Sequence, residues 1–236
     1  MLESLKALRV LKKINKFNAK GDHEAALKLC NEGYATYASS KKLATRLHAQ
    51  AILTAKGTTL LYLDRNLDAI SNSDSIIRLI AERVDSDLWS AYGREAHWTK
   101  IRGLYALKDY EKVVQLIDSI SDEYTTYTDS VTECITASML LLKTEVLKVE
   151  GGFNAERFEI LRKIVSRYHP SSEPNVIAQV ITAISEMLVT CIQEDHYEHA
   201  FQMYQHAVSL YGPHRIEVQR MEAALQPFKA YLDGNE

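Results

Sequence analysis

Apolar residues return along this chain every three or four positions, in stretches long enough for several helical turns, and almost nowhere in strict alternation. That period places them on one stripe of a helix rather than one face of a strand. Val10, Ile14 and Phe17 form the first stripe, and Leu53, Gly57 and Leu60 belong to the next. Trp98, Ile101 and Tyr105 mark a third, and Phe158, Leu161, Val165 and Tyr168 follow at spacings of three, four and three. The segment after Pro174, VIAQVITAISEMLVTCI, is rich in β-branched residues that would also suit a strand. Its stripe Ile177, Val180, Ile184, Met187 and Cys191 has a helical period and decides for helix.

A second pattern lies over the first. Ala200, Tyr204 and Ala207 share one face of the segment YEHAFQMYQHAVSLY, where two small side chains allow close approach of another helix. Nine residues upstream of Ala200 sits Cys191. The same interval separates Phe17 from Ala26 and Leu60 from Ala69. Ala26, Cys30 and Gly33 form the small face of the first pair, and Ala69, Ser73 and Ile76 that of the second. In the third pair Val113 or Val114 stands in for the alanine. From Ala26 to Ala200 is 174 residues, which over four intervals gives a period of 43.5. Gly21-Asp22, Lys108-Asp109 and Gly151-Gly152 supply turns or helix stops, and Asp85-Ser86-Asp87 a helix start. The expected organisation is a single all-α domain over 1–236 with hairpins near 2–38, 41–83, 86–121, 124–169 and 175–211. A closing helix over 214–232 carries Val218, Met221, Leu225 and Phe228 on one face, with Pro227 kinking or ending it.

These alanines, aromatics and closing Pro213 resemble the tetratricopeptide repeat, and Gly57 falls where that family has its glycine. Arg102 stands at that place in the third pair. The period is longer than the family's ordinary 34 residues and overlaps that of HEAT-type repeats. The resemblance implies a right-handed α-solenoid of five antiparallel hairpins with a C-terminal capping helix, acting as a non-catalytic protein-binding scaffold or adaptor. First helices would line a concave groove holding a peptide or helix of a partner. Its expected lining is Asn15, Asn18, Thr54, Thr58, Arg102, Lys143, Leu147, Ser185 and Val189. The family's Lys, Asn and Arg clamp for chaperone tails is not matched. Asn15 fits one of its places, but Leu11, Ala55, Glu95 and Thr99 fill the others. The alternatives are an architectural subunit docking through its flanks into a larger complex, and a ligand sensor or enzyme.

Composition narrows the partners. With 28 basic and 31 acidic residues there is no global charge to favour nucleic acid or a membrane surface. Nine Gly and four Pro are too few for a sandwich of short strands. Cys30, Cys134 and Cys191 are too scattered for a disulfide framework and read as core residues, so a reducing cytosolic or nuclear setting is expected. The N-terminal segment lacks the apolar run of a signal peptide, and no 18-residue apolar span is expected further on.

Candidate chemistry is sparse. His196, His199 and His206 share one helix but lack a zinc-protease spacing, and their side of the helix reads as solvated, so no metal and no cofactor is expected. Gly151-Gly152 lacks the strand and further glycines of a phosphate loop. Lys6, Arg9, Lys12, Lys13, Lys16 and Lys20 fill one arc of the first helix, opposite Leu8, Leu11, Ile14 and Phe17. That arc is a solvated face, or an attraction for an acidic partner.

Overall fold

The computed structural model describes residues 2–81, 87–150, 155–213 and 215–228. Among them the chain is all α-helical. The helices are α1 (Leu2–Ala19), α2 (His23–Tyr37), α3 (Leu43–Tyr62), α4 (Asn66–Ala81), α5 (Asp87–Ala106), α6 (Tyr110–Tyr124), α7 (Ser130–Glu150), α8 (Ala155–Tyr168), α9 (Pro174–Gln193), α10 (Tyr197–Tyr211) and α11 (Ile216–Leu225), with a 3-10 turn at Gln226–Phe228. Neighbours in sequence pack together in the pairs α1–α2, α3–α4, α7–α8 and α9–α10. The closing helix is shorter than expected. It stops at Leu225, two residues before Pro227, whose ring and missing N–H cannot continue it. The expected helix start at Asp85-Ser86 and the expected stop at Gly151-Gly152 lie outside the described residues.

The chain divides into two compact units, 1–116 and 117–236. In the first, α3 is the central element and packs against α1, α2, α4 and α5. Ile14, Ala26, Cys30 and Ile52 form one buried cluster, and Leu53, Ile76 and Ala96 another. Glycine permits close approach at two of these contacts. A Cβ on Gly33 would sit 2.9 Å from Val10 Cγ1, and one on Gly57 would sit 3.1 Å from Thr99 Cγ2 and 3.2 Å from Asn72 Nδ2. Asn72 in turn donates to the Leu53 carbonyl at 3.0 Å, tying α4 to α3.

In the second unit α9 holds the central place, against α7, α8, α10 and α11. By length and composition it could cross a membrane, with a mean hydropathy of 1.6. This corrects the expectation that no such span exists. Burial explains the composition, since half of that window is enclosed and Val176, Val180, Ala183 and Ile184 are each 0% exposed. A helix surrounded by four others has little surface left for polar residues.

The leading position of the second helix settles into one register across the five pairs. Ala26, Ala69, Val113, Arg157 and Ala200 are equivalent, at intervals of 43, 44, 44 and 43 residues. All five are buried, so Val113, not Val114, carries the third pair. The turns repeat with them. Gly21, Asp64, Lys108 and Asp195 each take a left-handed conformation, with φ of 78°, 56°, 60° and 58°. The next amide then donates back into the helix: Asp22 to Phe17, Arg65 to Leu60, Asp109 to Leu104 and His196 to Cys191, at 2.8–3.0 Å. This is a helix-closing Schellman turn, and it recurs at each of the four hairpin turns among the described residues.

Candidate functional site

The predicted groove residues lie on the first helix of each pair, and their surroundings differ. Asn15 is exposed, and Thr58, Arg102 and Ser185 are half-buried. Val189 is 38% exposed. Asn18 is engaged, donating to Thr59 Oγ1 at 2.9 Å. Thr54, Lys143 and Leu147 are buried, contrary to the expectation that they face outward. Thr54 lies on α3, which touches four neighbours, and Lys143 and Leu147 lie on α7, which packs against α8 and α9, so each helix keeps a narrow free face.

Lys143 is the most altered of the set. Its ammonium lies 2.7 Å from both Asp118 and Glu156. Burial alone would lower its pKa, but the two carboxylates reverse that and hold it above the ordinary lysine range. Lys143 is therefore a structural cation joining α6, α7 and α8. Arg157 plays a similar part at a position where the other pairs carry Ala or Val. It donates to Thr190 Oγ1 at 2.8 Å and to Glu186 at 2.5 Å, and Lys148 reaches the same Glu186 oxygen at 3.1 Å. Sequence reading passed over Arg157 because it followed Phe158, one place out of register. The period of 43.5 carried the signal, since it points at 156 to 157.

The five basic residues of α1 and Lys20 in the turn after it are all exposed, as their spacing implies. Lys13 lies over the Phe17 ring at 5.7 Å. The cysteines are poor nucleophile candidates. Burial pushes Cys30 up to about 11, and it raises Cys191 and Cys134 as well, so the thiolate is suppressed.

A cleft of about 710 Å³ lies in the second unit, walled by α8 and α10 over a floor of α9. Phe158, Val165, Met187, Cys191 and Met203 give it an apolar bed. His196, His199 and His206, read from the sequence as solvated, are exposed and stand on its α10 rim. Arg162 and His169 stand opposite on α8, and Glu194 closes the α9 end. The His196 and His199 rings meet edge to face at 5.9 Å. Among the described residues no cluster of three or more His, Cys, Asp or Glu side chains could hold a metal ion. The first unit has an equivalent cleft of about 410 Å³, between α2 and α4 over α3. Its walls are polar, with Asn31, Lys56, Ser71 and an Arg65–Asp68 ion pair of 2.6 Å.

The chain was compared with family models, with curated proteins and with solved structures, and none of them matches it.

Proposed function

We propose that this protein is a non-catalytic interaction module, a cytosolic or nuclear scaffold subunit that holds a helix or peptide of a partner protein. In this reading the five hairpins continue as one right-handed, tetratricopeptide-like solenoid closed by α11. The observation that carries it is the apolar cleft between α8 and α10, whose bed is built by three helices and left open to solvent. The recurrence of one hairpin, turn for turn, supports the repeat architecture in which such clefts arise. The suppressed thiols favour binding over nucleophilic chemistry.

The surface used by the partner moves accordingly. Thr54, Lys143 and Leu147 are enclosed, so the first-helix groove is the weaker candidate and the second-helix cleft the stronger one. Docking through a flank has its own support in α1, where Leu2 and Leu5 are 68% and 47% exposed beside the six basic residues.

Purification from native cells followed by cross-linking mass spectrometry tests the proposal. The expected result is one co-purifying protein cross-linked near α8 and α10. Cross-links confined to α1 would assign the protein to flank docking. Recovery of the protein alone, with strong thermal stabilisation by a metabolite or metal ion, would overturn the interaction reading in favour of a sensor or enzyme.

A further inference from the structure

The α8–α10 cleft has the dimensions and periodicity of a receptor for a single helix. On α8 and the residue after it, the lining residues are Phe158, Arg162, Val165, Ser166 and His169, which follow the three-four spacing of one helical face. On α10 they are His196, His199, Gln202, Met203 and His206, again one face. The α8 wall therefore runs about 16 Å, close to three helical turns. An elongated trough between two helical walls suits a rod of similar length, whose apolar stripe meets Met187, Cys191 and Val165 on the bed.

The rim states the chemistry of the rod's flanks. The titratable and charged groups lining the cleft are Arg162 and His169 from α8, Cys191 and Glu194 from α9, and His196, His199 and His206 from α10. Arg, His, Gln and Ser side chains all offer N–H or O–H donors at neutral pH, whereas Glu194 is the one carboxylate among them. Arg162 is held by Glu159 at 2.9 Å in an exposed pair, which a partner carboxylate can exchange at small cost. The matching cleft of the first unit has a different lining. Asn31, Ser71, Asn72 and Ser75 stand along its α2 and α4 walls, and Lys56 interrupts its α3 bed.

We propose that the cleft between α8 and α10 binds an amphipathic helix of about three turns, with apolar residues at i, i+3 or i+4, and i+7, and with Asp or Glu on the flanks that face the histidine and arginine rim. This inference deepens the interaction reading and rests on it.

The full chain is used to select from a phage-displayed library of helix-biased peptides about four turns long, and enriched sequences are measured by fluorescence anisotropy. Expected are enriched peptides with three apolar positions at helical spacing and more carboxylates than the starting library. The double variant His199→Glu, Met203→Glu should weaken them by about tenfold or more, and the exposed His206→Glu should weaken them in the same direction. Thr182→Glu, on an exposed α9 position outside the cleft, should bind as the parent does. Thermal melts establish that each variant is folded, and His206→Glu carries the test should the double variant not fold. No enrichment, enrichment of Lys and Arg flanks, or equal binding by the rim variants would overturn the proposal. Stabilisation by a long-chain fatty acid without peptide enrichment would give the cleft to a small amphiphile, with the same consequence. A partner that co-purifies from cells while selection fails would sink this inference and leave the interaction module standing.

Discussion

Lys143 illustrates how one side chain can change its meaning on folding. As a letter in a helical stripe it falls on the outward side. In the structure it is 6% exposed between Asp118 and Glu156. Lys143→Glu would bring three carboxylates together, and the expected cost is about 2–4 kcal/mol, below the full buried-pair value because both partners are half in water. Arg102→Glu, at a half-buried position, should cost less. Chemical denaturation of the two variants checks the order, and equal midpoints would remove Lys143 from its structural place.

His97 on α5 makes the pH dependence specific. Burial first, and then the Lys100 ammonium, push its imidazole down to about 4, against the pull of Asp74. The folded protein thus prefers the neutral ring, while the unfolded chain takes up a proton near pH 6.5. Stability from this group is complete above about pH 6.5 and is lost as pH falls from there toward 4, with a total of roughly 1–3 kcal/mol. His97→Gln should flatten the loss over that window in urea titrations. A variant with the parent's slope would clear His97 of the effect.

Among elements, the hairpin turn is the repeated unit and carries its own strain. Among the described hairpin turns the left-handed residue is Gly at Gly21, while Asp64, Lys108 and Asp195 adopt φ near 60° with a Cβ in place. Lys has no side-chain acceptor to compensate there, so Lys108→Gly should raise stability by about 0.5–1 kcal/mol, read as a rise in Tm of a few degrees. An unchanged or lower Tm would mean that the turn is not the one described. The helix contact itself is tested at Ala200, which is 0% exposed where α10 meets α9. Ala200→Leu should cost about 1–3 kcal/mol by overpacking. Loss of amide protection limited to α10 and α11 would place the damage in that hairpin.

For the whole molecule, the two surfaces worth separating are the basic arc of α1 and the cleft of the second unit. Lys12→Glu with Lys16→Glu reverses charge on exposed positions and should shift stability by less than about 0.5 kcal/mol. Loss of a co-purifying partner in that variant, with binding intact in His206→Glu, would move the docking surface to α1.

How much of this was legible beforehand follows from what each kind of signal measures. The helical period and the closing role of Pro227 come from local physics: side chains three and four apart share a face, and proline lacks a donor wherever it sits. The recurrence near 43.5 residues was also written in the chain, and it pointed to position 157 although an arginine there hides the small-residue pattern. Tertiary packing alone decided which faces of the first helices stay free. A stripe of residues such as Thr54, Lys143 and Leu147 reads the same whether one neighbour covers the helix or four do. The cleft likewise belongs to no single segment, because its bed and rims come from α8, α9 and α10 together. Even the apolar run of α9 is ambiguous in one dimension, since lipid and a ring of helices ask for the same side chains, and its four packed neighbours account for that composition.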